Sequence, residues 1–268
     1  MQVIGLCRFS YPALGGFQRE HETSEQRKAF LYDEARLKHR LRLFQAFNLP
    51  SILAQTDTDF QYLILIGDDL PIWALNRLDD LTAAADHIKI LPYSPHPHRQ
   101  IAAQVILDHV DATHTHSIQF RLDDDAVNCT FDERLKTDAA TGVIDYANKP
   151  RFALDYARGY AIRPSDEGLQ AEESVRNLWT PALAAVFKTS AKNTIMNFGH
   201  HKLGQHMPVI SDWDTPMFLR SFHDENDSAS ARELDRFKFA PLTARQQHHF
   251  KTGFNVDVDL VRRLWTDA

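Results

Sequence analysis

Three adjacent carboxylates, Asp123, Asp124 and Asp125, directly follow an alternating apolar run in IQFRLDDDAV, residues 118–127. Like charges crowded at the end of a buried strand repel one another, so the placement needs a compensating partner. Two aspartates separated by one residue can chelate one hard divalent cation, because the short side chain lets both carboxylates reach the ion. Mg2+ or Mn2+ held in this way keeps coordination positions for phosphate oxygens and offsets the repulsion. A solvated acidic turn is the competing reading and needs no metal. A second acidic pair, Asp212 and Asp214, lies about ninety residues downstream in ISDWDTPMFL. A carboxylate there can act as a general base. Ser211 or Asp214 can equally cap a helix by accepting a bond from a first-turn amide.

The elements that must position these residues follow from hydrophobic spacing. VIGLCRF (3–9) reads as a strand ended by a Ser-Tyr-Pro-Ala-Leu-Gly-Gly loop, and 23–30 is a polar stretch. Ala35, Leu37, Leu41, Leu43, Phe44 and Phe47 recur at helical spacing over 33–47, which Asn48 and Pro50 are expected to stop. FQYLILIG (60–67) is a buried strand terminated by Gly67-Asp68-Asp69. A helix over 72–85, a strand over 87–93, a helix over 98–110 and a strand over 116–122 complete a β-α series. Such a series predicts a mostly parallel sheet whose ligands lie beyond the carboxyl ends of the strands. The loops after strands one, two and four carry Arg8 to Ser10, Asp68 to Asp69 and Asp123 to Asp125, and should converge on one crevice.

The second half reads differently. Residues 151–164 and 173–190 look like strands joined by a turn at 165–168, with a helix over 192–203 and another after 211–219. The chain closes on a short amphipathic stretch, 258–265. The expected fold class is α/β, a single domain of residues 1–268. Residues 1–127 form the β-α half, and residues 128–268 a more antiparallel half.

Composition sets outer bounds. The 268 residues are 43% hydrophobic and 25% charged, ordinary globular values. A net charge of −6 and a pI near 6.1 argue against a nucleic-acid partner. No run of about 18 apolar residues is present, and the first residues lack the pattern of a secretory leader. Two isolated cysteines fit neither a disulfide framework nor a zinc knuckle and suit a cytoplasmic location. The fourteen histidines include several pairs, but none stands at a standard zinc spacing.

IQFRLDDDAV resembles the Asp-x-Asp motif of glycosyltransferases with the nucleotide-diphospho-sugar, or GT-A, fold. The layout of HRQIAAQVILDHVDATHTHSIQFRLDDDA and of LILIGDD is similar to that family. RLDDDAV, DWDTPMFL and FHDENDS together resemble the bacterial rhamnosyltransferase family. The resemblance implies a metal-dependent transfer of a sugar from a nucleotide-diphospho-sugar to a glycan or lipid-linked hydroxyl, with inversion. It implies Mn2+ or Mg2+ on Asp123, Asp125 and His223. Phe9, Ser10, Asp68, Arg99, Asp123 and Asp124 would contact the donor. Asp212, narrowly ahead of Asp214, would be the base; Asn226 would touch phosphate, and Trp213 would offer an apolar platform. One departure is visible: Leu70 and Pro71 follow Asp69 where the family has Gly-Ser. A surface-glycan acceptor would place the enzyme at the inner membrane face, docked through Val258, Val261, Leu264 and Trp265, unless that helix faces the core. The triplet also matches Asp-x-Asp-x-Val of haloacid-dehalogenase-like phosphatases, although about 120 residues precede it. A non-catalytic metal- or carbohydrate-binding module is the third reading.

Overall fold

The computed structural model describes residues 1–15, 21–223 and 236–266. Strand β1 (Gln2–Arg8) is buried along nearly its whole length, as its uninterrupted apolar run requires. It pairs in parallel with β2 (Gln61–Gly67) on one side and with β4 (His116–Arg121) on the other. β3 (Ile88–Tyr93) extends the sheet beyond β2. Beyond β4 lie β9 (Leu183–Lys188), β6 (Arg151–Tyr156) and β10 (Val209–Asp212), giving the order β10-β6-β9-β4-β1-β2-β3. β9 alone runs antiparallel, so the other six strands present their carboxyl ends at one edge. The chain runs outward from β1 to β3 and then returns to β4 on the opposite flank. A topological switch point therefore lies between β1 and β4, where open α/β sheets hold their ligands. Gly5 permits this packing: a Cβ there would fall inside the Phe120 and Tyr62 rings.

Helices α1 (Ser24–Leu31), α2 (Glu34–Leu43), α3 (Leu49–Leu53), α4 (Ile72–Thr82), α5 (His98–Asp108) and α6 (Phe131–Asp145) accompany this sheet. A second sheet has the order β12-β8-β7-β11-β5. It comprises β5 (Ala126–Val127), β7 (Arg158–Ser165), β8 (Gly168–Val175), β11 (Phe218–Ser221) and β12 (Ala240–Pro241). α7 (Ala244–Phe254) and α8 (Val258–Thr266) share a core with it, built on Tyr160, Ile162, Leu219, Phe250 and Val261. The α/β class, the mostly parallel first half and the more antiparallel second half are all present.

Several local expectations are corrected. The polar stretch 23–30 contains α1, which Thr23 caps by accepting from the Gln26 amide at 3.1 Å. Asn48 and Pro50 do not end the helical run. A π-helical turn (Phe44–Asn48) leads into α3, where Pro50 occupies the first turn and its missing N–H costs nothing. The expected strand 151–164 divides at Ala157 between the two sheets. Short 3-10 turns, Ile195–Asn197 and His200–Gln205, replace the helix over 192–203. Residues 211–219 enter strands β10 and β11, so Ser211 and Asp214 cap no helix; residues 224–235 lie outside the description. α8 turns Val258, Val261, Leu264 and Trp265 toward the core, which removes them as a membrane-docking face. Among the described residues no helix is long and apolar enough to cross a membrane.

Candidate active site

The switch point is where the acidic triplet meets its partners. Asp123 accepts from the Arg8 backbone amide at 2.9 Å, and its other oxygen pairs with the Arg8 guanidinium. Arg8 also reaches the ring of His98, at the start of α5. Asp124 pairs with Arg40 of α2, which donates to the Arg8 carbonyl at 3.0 Å. Asp125 accepts from the Ser221 amide at 2.8 Å, and the Ser221 hydroxyl lies 2.9 Å from the Asp124 carbonyl. Asn48, in the π-helical turn, holds the Leu122 and Asp123 carbonyls at 3.1 and 3.0 Å. The crowding of three carboxylates is thus relieved by guanidinium groups from β1 and α2.

The electrostatics follow from burial set against these charges. Burial alone would raise Asp123, but Arg8 and then Arg40 outweigh it and hold the carboxyl at about 2. Asp125 is pushed up by burial, against the opposing charge of Arg220. His98 is lowered to about 3 by burial and by Arg8. Arg121, the last residue of β4, is lowered to about 10 by burial and by the like charges of Arg8, Arg99 and Arg220.

These carboxylates were expected to hold Mg2+ or Mn2+ together with His223. Both oxygens of Asp123 are engaged by Arg8, and Asp125 is engaged by Ser221. The His223 ring packs on His39, with Nε2 3.8 Å from Asp124. Among the described residues no three His, Cys, Asp or Glu side chains gather as a metal-holding group. In this arrangement the donor set does not fit the cation.

Of the other expected contacts, Asp68 is exposed at the end of β2; its carboxylate makes no hydrogen bond or ion pair among the described residues, and its charge acts on Lys28 and Tyr32. Its neighbour Asp69 is held by Tyr32 at 2.9 Å and Lys28 at 2.6 Å. Arg99 is exposed in the first turn of α5. Ser10 has a left-handed backbone, φ 48°, and a buried hydroxyl without a hydrogen-bond partner among the described residues. The Phe9 ring is 1% exposed and stacked edge-on to Phe44, so it belongs to the core rather than to a pocket wall.

Asp212 and Asp214 stand at the carboxyl end of β10, three strands from β4, or about 14 Å at ~4.8 Å per strand. Asp212 is engaged on both oxygens, by Arg134 and by the Asp214 amide at 2.8 Å. Asp214 is exposed, and its carboxylate meets no partner among the described residues. Trp213 is 55% exposed, not core. Asn226 lies outside the described residues.

Sequence reasoning missed Arg8 as an ion-pair partner, and missed Arg40, His98, Arg121, His200, Arg220 and Ser221 altogether. His200 hydrogen-bonds the Leu178 carbonyl through Nδ1 at 2.7 Å and feels the charges of Arg121 and Arg220. The one available signal was Arg121, a charge inside an apolar strand run directly before the triplet.

A family model described as "Putative rhamnosyl transferase" matches residues 2–234. The chain belongs to this rhamnosyl transferase family. Two solved structures of S. aureus TarS 1-349, one in complex with UDP, are similar at 10% identity, with TM-scores of 0.44 and 0.42. They cover 82% and 83% of this chain, which spans only 60% and 61% of theirs. A 4-diphosphocytidyl-2C-methyl-D-erythritol synthase from Anaerococcus prevotii matches at 10% identity and TM-score 0.34, covering 78% of this chain and 86% of its own. No curated protein is significantly similar to the chain. Family membership displaces the phosphatase reading, and Asp123, held on both oxygens by Arg8, is poorly placed to be that enzyme's nucleophile.

Proposed function

We propose that this chain is a glycosyltransferase of the GT-A type, moving a sugar from a nucleotide-diphospho-sugar to an acceptor hydroxyl. The observation that carries the reading is the meeting of the β1 and β4 ends at the switch point, in a chain of the rhamnosyl transferase family. The donor's diphosphate would enter beside Arg8, Arg99 and Arg121, with Asp68 available to the nucleoside end. The acceptor oxygen attacks the anomeric carbon, the bond to the diphosphate breaks with its electron pair, and the acceptor's proton passes to a carboxylate. Asp214 suits that role better than Asp212, because Arg134 and the Asp214 amide already occupy both Asp212 oxygens. Attack opposite the leaving group inverts the anomeric centre.

Rhamnose is the sugar the family description points to, and a glycan or lipid-linked hydroxyl is the acceptor we propose. Such an acceptor would place the enzyme in the cytoplasm at the inner membrane face. Mn2+ or Mg2+ has no part in this proposal: among the described residues the expected ligands do not gather as a metal-holding group.

The test is release of nucleoside diphosphate from UDP-, GDP- and dTDP-sugars, dTDP-rhamnose included. One donor class should be turned over. Asp214→Asn should lower kcat by about 100-fold or more with donor binding intact, the usual weight of a general base. Neither binding nor release with any donor would refute the reading.

A further inference from the structure

Arg121 closes β4 in register with Leu6 of β1, two residues before Asp123 of the acidic triplet and on the rim of the switch point. Its positive neighbours are Arg8, Arg99 and Arg220, and its negative neighbour is Asp123. That carboxylate is already committed to Arg8, as Asp124 is to Arg40. Arg121 and Arg99 meet no carboxylate partner among the described residues. Two guanidinium groups thus stand at this rim without an ion pair of their own among the described residues, one of them partly buried at a strand end.

A partly desolvated cation amid like charges is costly, and folding alone gives no reason to keep it. An incoming dianion removes the penalty. The planar guanidinium fork matches phosphate oxygens two at a time, which makes arginine suited to a diphosphate. Two uncompensated positive charges also match the two negative charges on the diphosphate of a nucleotide-sugar. Of the carboxylates a metal was expected to use, Asp123 is meanwhile held by Arg8 and Asp125 accepts from the Ser221 amide.

We propose that Arg121, acting with Arg99, binds the diphosphate of the nucleotide donor directly, and that the chain binds nucleoside diphosphates without a divalent cation. The inference rests on the glycosyltransferase reading and adds to it the group that neutralises the leaving diphosphate. Arg121 does here by direct contact what the Asp-x-Asp pair was expected to do through a metal.

The test is calorimetric titration of UDP, dTDP and GDP into the full chain, in EDTA and again in Mn2+, paired with thermal unfolding of the unliganded protein. Wild type should bind one nucleotide in EDTA. Arg121→Gln should raise its Kd by about 10- to 100-fold, the range of lost hydrogen bonds to a charged group. Arg121→Lys, which keeps the charge but not the fork, should fall between. The Tm of unliganded Arg121→Gln should stay level or rise, because a repulsion is removed. Three outcomes overturn the proposal while leaving the glycosyltransferase intact: binding that requires Mn2+, affinity in EDTA unmoved by Arg121→Gln, or a lowered Tm that makes Arg121 a structural residue. Failure of wild type to bind any nucleotide in either condition overturns the functional reading, and this inference falls with it.

Discussion

Replacing Arg40 by methionine keeps the length and most of the apolar stem of the side chain while deleting its charge. Arg40 ties α2 to both halves of the switch point. It pairs with Asp124, donates to the Arg8 carbonyl at 3.0 Å, and lies 5.6 Å from the centre of the Phe9 ring. The side chains of the pair are 11% and 15% exposed, so little water is at hand to replace the lost partner. Removing one member of a buried pair strands the other charge and costs ~3–5 kcal/mol. Residual access to solvent places this case at the lower end, about 3 kcal/mol, a large share of the ~5–15 kcal/mol that holds a typical protein folded. In a chain of this size that corresponds to a drop in Tm of about 6–12 °C. Urea unfolding followed by far-ultraviolet circular dichroism measures it. The companion variant Arg40→Met with Asp124→Leu, which removes both charges, should recover most of the loss. A loss below about 1 kcal/mol for Arg40→Met would place the pair with ordinary surface ion pairs and refute the argument. So would a double variant no more stable than the single one.

Asp123 contributes a distinct acid sensitivity. Its folded value of about 2 lies below the ~3.9 of an unfolded aspartate, so its contribution is present above pH 4 and is lost as pH falls toward 2. Acid titration of Asp123→Asn should therefore show a shallower loss of stability in that window, by about 2 kcal/mol over its span. Asp132, in the first turn of α6, behaves in the opposite sense. Burial pushes it up to about 7 against the opposing pull of Lys136, 3.0 Å away, so its charging penalises the fold as pH rises from 4 to 7. The Tm difference between Asp132→Asn and wild type should move in favour of the variant between pH 5 and pH 8; a pH-independent difference would contradict the assignment. Gly5→Ala forces a methyl into the Phe120 and Tyr62 rings and should cost ~1–3 kcal/mol in chemical denaturation, with no change in net charge to confound it.

The first half of the fold was legible because its signals are local. An apolar run such as that of β2, bounded by Asp59 and Gly67, has one stable use, a strand buried on both faces. The misreadings share a cause in tertiary context. Asn48 and Pro50 look like a helix stop, yet the Asn48 amide is anchored by the Leu122 and Asp123 carbonyls, and a π-helical turn reconciles that anchor with continued helix. Residues 192–203 show apolar spacing, but Gly199, Gly204 and neighbouring histidines favour helix weakly and leave only 3-10 turns. The division at Ala157 between two sheets has no periodic signature, since both sides of the break are strand.

The site was half legible for a different reason. Adjacent aspartates are visible in a sequence, whereas the partners that hold them arrive from elsewhere in the chain: the guanidinium groups of Arg40 from α2 and Arg8 from β1, and the Ser221 amide from the second sheet. Spacing alone therefore favours a metal, the one partner that needs no other residue. Once the fold supplies the arginines, the balance changes. Asp123 and Asp124 become the means by which Arg8 and Arg40 are fixed at the strand ends, and among the described residues Arg121 and Arg99 stand at this rim without an ion pair of their own. An acidic triplet at a switch point is thus consistent with an anionic ligand even without a bridging ion. What selects between the two readings is the count of guanidinium groups beyond those the carboxylates already hold.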